Sequence, residues 1–223
     1  MLAQFVLFDG FDPLDIVAPF EVFSAAGLFT EQVSAELVAA DGPREVPSGI
    51  PHVSLPATAG LDPDRADLIV VPGASGRSGA QDQDEVTDED WPATVPAVLG
   101  RTLTTGLPAL LGKAMAAPGT TVATVCGGSL LLSMARLIQG RNAITHHQGL
   151  DALGASGVNV IRARVVDDGD LVTSGGVTSG LDLGLYLLER EVGPKIALAV
   201  EELLEHERRG VVWRDLGPVP LSA

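Results

Sequence analysis

Cys126 is the only cysteine in the 223-residue chain, set in Thr121-Val122-Ala123-Thr124-Val125-Cys126-Gly127-Gly128-Ser129-Leu130-Leu131-Leu132. The β-branched apolar run before it reads as a buried parallel strand, and Leu130 to Ile138 carries the spacing of a helix. The cysteine therefore falls on a tight strand-to-helix turn, which lifts a side chain above the sheet as a nucleophile elbow does. Backbone N–H groups at the start of the helix would favour a thiolate there and lower its pKa. A lone cysteine is ordinarily a small buried hydrophobe. Two following glycines and the strand–turn–helix context outweigh that reading and point to a nucleophile.

The second group with acid–base chemistry is Asp15. If Asp12 caps a helix, Asp15 occupies its third residue, where a capping-box acid or a helix-dipole partner fits equally well. Beside a thiolate its carboxyl would have a raised pKa, poised to exchange a proton. Glu21 requires a different helix face and reads as a surface residue. His146 ends a strand, where either a general base or a structural histidine fits. His147 then points to the other face. The third component is backbone: the Gly73-Ala74 amide and the Gly127 amide can face negative charge developing near the sulfur. Small residues permit that close approach.

These groups need elements to hold them. Leu2 to Phe8 reads as a first buried strand, with Asp9-Gly10 as a turn. Asp12 and Pro13 suit the cap and first turn of a helix that runs to about Ala26, stops at Gly27 and carries Pro19 as a kink. Ala35 to Ala40 is a second strand, His52 to Leu55 an edge strand, and Asp67 to Val71 a core strand running into Pro72-Gly73-Ala74-Ser75-Gly76. Residues 75–96 gather Asp82, Asp84, Glu85, Asp88, Glu89 and Asp90 beside Trp91. They read as a solvated loop, with a lid as the alternative. Helical pattern resumes near Val95 and continues to Ala117, broken at Gly106-Leu107-Pro108.

Downstream of the elbow, Ala143 to His147 reads as a short strand. Val158 to Val166 and Leu171 to Ser174 flank a hairpin turn at Asp167-Asp168-Gly169-Asp170. Ser179 caps a helix to about Glu191, and a last helix runs from Pro194 to about Arg209 with its glutamates outward. Strands alternating with helices imply an α/β fold, one parallel sheet wrapped on both faces. Sites in such sheets lie beyond the carboxyl ends of the strands, where Gly73 and Cys126 both fall.

Composition bounds the rest. The length suits a single α/β domain over 1–223, and 46% hydrophobic residues supply its core. One cysteine leaves no internal disulfide, which fits a reducing cytoplasm, and no signal peptide is legible. No apolar run is long enough for a membrane span. A net charge of −15 argues against nucleic acid as a partner. Zinc spacing, a Walker loop and a dinucleotide fingerprint are absent from the pattern, so neither metal nor cofactor is expected.

The chain resembles the ThiJ/PfpI superfamily, relatives of class I glutamine amidotransferases, over nearly its full length. The resemblance rests on Asp12-Pro13-Leu14-Asp15-Ile16-Val17-Ala18-Pro19-Phe20-Glu21-Val22, on Val70 to Ala74 and on the elbow Val125 to Ser129. Thr145-His146 and Val166 to Ser174 complete it. One branch of the superfamily contains isonitrile hydratases and the ligand-binding halves of some AraC-type regulators. The resemblance implies a flavodoxin-like three-layer sandwich with a mostly parallel central sheet, assembled as a homodimer and acting on a small molecule. It assigns Cys126 as nucleophile, Asp15 as the acid touching it, Ala74 and Gly127 as anion-pocket donors and His146 as a site-adjacent histidine. Isonitrile hydratases typically carry a threonine after the cysteine and often a tryptophan after the histidine; here these are Gly127 and His147. The expected activity is hydration of an isonitrile to an N-substituted formamide. A glyoxalase-type hydration of 2-oxoaldehydes and a sensing module without turnover are the alternatives.

Overall fold

The computed structural model describes residues 1–77 and 94–218. β1 (Leu2–Leu7) is apolar and buried, and leads through Gly10, in a left-handed conformation, to α1 (Pro13–Ala26). Asp12 caps α1 and Pro13 opens it, as the sequence predicts, and Gly27 ends it. Pro19 sits inside the helix, at its crossing with a later one. β2 (Ser34–Ala39) pairs parallel with β1 in register, Leu2 to Ser34 through Leu7 to Ala39. The expected edge strand is instead a hairpin lying apart from the main sheet, β3 (Arg44–Pro47) with β4 (Ser54–Ala57). β5 (Ala59–Gly60) returns to the sheet edge, and β6 (Leu68–Val71) is buried along its whole length.

α2 (Val95–Thr102) and α3 (Leu107–Ala116) are separate helices, divided where Gly106-Leu107-Pro108 predicted a break. The acidic run from Asp82 to Asp90 lies outside the described residues. β7 (Thr121–Val125) leads to Cys126 and α4 (Gly128–Met134), a shorter helix than the pattern to Ile138 implies. β8 (Asn142–Ala143) stops well before the histidines, because residues 147–149 form a 3₁₀ turn entering α5 (Leu150–Ala155). The expected strand from Val158 to Val166 is two pieces. β9 (Asn159–Val160) pairs with β8 in a small sheet of its own, and β10 (Val165–Asp167) pairs antiparallel with β11 (Leu171–Ser174). α6 (Ser179–Glu191) starts after Thr178, and Ser179 bonds the Gly175 carbonyl rather than capping the helix. α7 (Pro194–Leu204) ends at Glu205 in a left-handed conformation, short of Arg209. Glu201 is half-buried against Arg208 instead of facing outward. β12 (Trp213–Arg214) closes the other edge.

The main sheet runs β12-β10-β11-β7-β6-β1-β2-β5, with every pairing parallel except β10 to β11. Helices cover both faces, giving the flavodoxin-like sandwich. One apolar core joins Phe5, Ile69, Val71, Val122, Leu132 and Leu185 across the layers. Against one face, α6 crosses α1 at unusually close range. A Cβ on Gly184 would stand 3.2 Å from Pro19 Cα, and one on Gly180 3.1 Å from Pro19 Cδ. That close seat fixes α1, and with it Asp15, over the carboxyl ends of β1 and β6.

Candidate active site

Three backbone segments meet beyond the carboxyl ends of β1, β6 and β7. The first is the start of α1. Asp12 Oδ1 accepts from the N–H groups of Leu14 (2.9 Å) and Asp15 (3.4 Å), and fixes the first turn. This turn aims the Asp15 side chain inward, where it is wholly buried. The second segment is the loop after β6. The Gly73 N–H donates to Asp15 Oδ2 at 2.9 Å, and the Gly73 carbonyl accepts from the Asp12 N–H at 3.0 Å. Asp15 Oδ1 has no hydrogen bond of good geometry, a buried acceptor left for something else.

The third segment is the elbow. Cys126 has φ +55°, the left-handed conformation that a non-glycine residue holds only when its surroundings demand it. Those surroundings are specific. The Cys126 N–H donates to the carbonyls of Ser174 (3.1 Å) and Gly175 (2.9 Å). Its own carbonyl accepts from Thr145 Oγ1 (2.8 Å) and Ser129 Oγ (3.3 Å). The first residue of α4 allows the turn to close, since a Cβ on Gly128 would lie 2.3 Å from the Val71 carbonyl oxygen.

Asp15 and Cys126 thus come together, as the sequence expects, but the electrostatics differ from expectation in one respect. Burial, then the charge of Asp12, pushes the Asp15 carboxyl up to about 8, while bonds from Gly73 and Cys126 pull it back. At neutral pH it holds its proton. Burial also pushes the Cys126 thiol up, and an ionised Asp15 pushes it further. The Gly127 N–H favours the thiolate but is outweighed. The short α4 therefore does not lower the thiol pKa, because the desolvation that accompanies the buried carboxyl is the larger effect. The resting pair is a neutral thiol beside a neutral acid, and its first proton leaves the pair as a unit.

Gly73, Ala74 and Gly127 lie close together. A Cβ on Gly127 would stand 3.5 Å from Gly73 Cα and 3.9 Å from the Ala74 nitrogen. The Gly73 N–H is committed to Asp15, while the Ala74 N–H has no acceptor among the described residues. His146 lies one residue beyond Thr145, and so beside the elbow. Its Nδ1 accepts from the Gln148 N–H (3.3 Å) and its ring packs over Gly176, but it bonds neither Cys126 nor Asp15. Burial, then His147, holds it below the ordinary histidine range. His147 does not point away: the two rings sit 4.2 Å apart, since the chain turns here instead of continuing a strand. Glu21 is exposed, as expected.

The sequence reading missed the supporting residues. Thr145, Ser129 and Ser75 hold the site by hydroxyl-to-backbone or hydroxyl-to-carboxylate bonds, and small polar residues in such runs look like ordinary turn formers. A separate cleft of about 460 Å³, lined by Leu7, Asp9, Arg44, Thr105 and Leu107 among others, contains neither Cys126 nor Asp15. Arg44 at its rim is already paired with Asp9 and Asp41. Among the described residues no cluster of three His, Cys, Asp or Glu side chains is placed to hold a metal ion. No described helix is long and apolar enough to cross a membrane.

A flavodoxin-like sandwich with a cysteine on the elbow after a central strand, and a buried acid against it, defines the class of molecule. The chain belongs to the DJ-1/PfpI family, whose model matches residues 105–190. It is 31% identical over 202 residues to the isonitrile hydratase of Pseudomonas putida, spanning 91% of this chain and 77% of that enzyme. The fold superposes with a TM-score of 0.74 on a ThiJ/PfpI family protein from Pseudomonas syringae (24% identity, 94% of this chain and 76% of the other). It superposes with a TM-score of 0.65 on an AraC family transcriptional regulator from Pseudomonas putida (20% identity, 91% and 98%). These two likenesses are of fold.

Proposed function

We propose that this protein hydrates an isonitrile to an N-substituted formamide, with Cys126 as nucleophile and Asp15 as the proton carrier. The observation that carries the reading is a wholly buried carboxyl against a cysteine on a left-handed elbow, with burial pushing the carboxyl pKa up to about 8. An isonitrile is uncharged, and its terminal carbon must receive both a nucleophile and a proton. A neutral, buried acid suits that need, whereas a carboxylate would repel the thiolate.

In the first step the sulfur bonds to the terminal carbon. Asp15 gives its proton to that carbon and takes the thiol proton in exchange, so that S–H has added across the carbon and the product is a thioimidate. Water then attacks the thioimidate carbon. Asp15 relays a proton from that water to nitrogen; the C–S bond then breaks as the hydroxyl becomes the carbonyl, and the hydroxyl proton passes through Asp15 to the departing sulfur. The net reaction consumes one water and regenerates both the thiol and the acid. With Gly127 lacking a hydroxyl, the water is oriented by Asp15 Oδ1, and the Ala74 and Gly127 N–H groups face the charge developing near the sulfur.

The 2-oxoaldehyde reading has one observation in its favour. His146 is held uncharged at neutral pH next to the elbow and is able to shuttle a proton between carbons. One comparison separates the two. Formamide production from a simple alkyl isonitrile is expected for the wild type, and a loss of at least about a thousandfold for Cys126→Ala. Lactate from methylglyoxal without glutathione, and no formamide, would transfer the assignment to the second reaction. Absence of both turnovers would leave a sensing module. The rest of the proposal is a single domain working as a cytoplasmic homodimer, with Leu14 and Val17 of α1 exposed beside the site as apolar surface for a second copy.

A further inference from the structure

Asp12 does more than cap a helix. One carboxylate oxygen holds the Leu14 and Asp15 N–H groups, and the other accepts the Ser75 hydroxyl at 2.6 Å. Its backbone N–H donates to the Gly73 carbonyl. A single residue therefore ties the first turn of α1 to the loop after β6, the two walls between which the Asp15 carboxyl stands.

We infer that Asp12 is a positioning residue for the Asp15–Cys126 pair, fixing where the Asp15 carboxyl stands and setting the pH at which the pair gives up its first proton. The groups facing Asp15 are few. From its own helix there is Asp12, and from the elbow Cys126. From the loop after β6 there is the Gly73 N–H, and from α6 only the backbone near Gly180. Among the described residues, no ion pair joins a lysine, arginine or histidine to Asp12 or Asp15. A carboxylate one helical turn away, in poorly solvated surroundings, opposes ionisation of its neighbour. Asp12 thereby adds to the burial that keeps the proton on Asp15 at neutral pH, whichever electrophile the sulfur attacks.

The test reads the Asp15 carboxyl directly and needs no substrate. The carboxyl carbon resonance of Asp15 in ¹³C-aspartate-labelled protein, identified by its loss in Asp15→Asn, is followed against pH. In the wild type its chemical shift rises as the carboxyl ionises, near pH 8. Asp12→Asn and Asp12→Ser both keep a good helix cap without the charge, and each is expected to move that rise down by about one pH unit. Having both protects the test against one variant folding poorly. Ser75→Ala removes the tether but leaves the charge, and the rise is expected to stay within a few tenths of a unit of wild type. An unmoved rise in both Asp12 variants overturns the inference. So does an equal shift in Ser75→Ala, which would make the effect one of loop packing. Because no isonitrile is involved, a failure here is distinguishable from a failure of the proposed reaction.

Discussion

Asp15→Asn should yield a protein that is more stable and nearly inactive. The stability half follows from linkage. The Asp15 carboxyl has its pKa raised from 3.8 to about 8 in the folded chain. Between those values the folded state holds a proton that the unfolded state has lost, so stability declines as pH rises. The penalty starts near pH 4, deepens to about 4 kcal/mol at pH 7, at 1.36 kcal/mol per unit, and is complete above about pH 8. Asparagine carries no such penalty. Its carbonyl can accept the Gly73 N–H as Asp15 Oδ2 does, although its amide N–H₂ replaces an oxygen without a partner and costs about 1–2 kcal/mol of that gain. The net expectation at pH 7 is roughly 2–3 kcal/mol, or about 5–10 °C in Tm for a chain of this size. The gain should vanish near pH 5, and at pH 4 the variant should be the less stable by about 1–2 kcal/mol. Calorimetry of the two proteins at pH 4 and pH 7.5 checks the sign, and a variant less stable at both would mean that the carboxyl is held ionised.

The activity half draws on the same charge. Proton transfer from a positioned side chain contributes about 10²–10⁴-fold, and the amide cannot supply it. Formamide production should fall by that factor while Cys126 remains open to alkylation. Full turnover in Asp15→Asn would end the assignment of Asp15. The pairing of gained stability with lost activity is what separates a functional buried acid from a structural one, whose removal lowers stability.

How much of this was legible beforehand depends on whether the signal was local. The cap Asp12-Pro13, the break at Gly106 and the strand before Cys126 are set by residues adjacent in sequence, and each lies where the pattern put it. The stretch from Val158 to Val166 failed because its division depends on partners. Asn159–Val160 pairs with β8 and Val165–Asp167 with β11, and nothing in the apolar run announces the change of sheet. The histidines failed for a similar reason, since a short extended run and a 3₁₀ turn look alike over five residues. The candidate residues stand out by type and spacing, and Asp15 and Cys126 do meet. Their charge state was misjudged at the cysteine. A helix start is visible in sequence, but burial by elements distant in the chain, and the charge of a carboxyl on one of them, are not. The supporting hydroxyls of Ser75, Ser129 and Thr145 left no local mark at all.

Three glycines of the site should respond to alanine in a graded order that only the geometry sets. Gly128 opens α4, and helix propensity alone favours alanine there by up to about 1 kcal/mol. The added Cβ, however, would stand 2.3 Å from the Val71 carbonyl oxygen, 3.0 Å from that of Pro72 and 3.1 Å from Thr124 Cβ. Two of these are backbone atoms of the central sheet and its loop, which cannot swing aside as a side chain would. Overpacking of this kind costs about 1–3 kcal/mol or somewhat more, so the clash reverses the propensity gain. Gly128→Ala is expected to lower Tm by roughly 5–10 °C and to displace the elbow, with turnover falling further than stability alone explains. Gly73→Ala meets the Gly127 nitrogen at 2.6 Å and Asp15 Oδ2 at 2.9 Å. Its pressure falls on the acid and the anion pocket, so formamide production should drop at least about a hundredfold, as misplaced catalytic geometry does. At Gly127 the Cβ would find only ordinary contacts of 3.5–3.9 Å with φ −69°, and Gly127→Ala should melt within about 2 °C of wild type. Melting curves for the three variants, side by side with formamide assays, test the order. A Gly128→Ala protein as stable as wild type would mean that α4 does not press on the β6 loop as closely as described, and the strained elbow would lose its explanation.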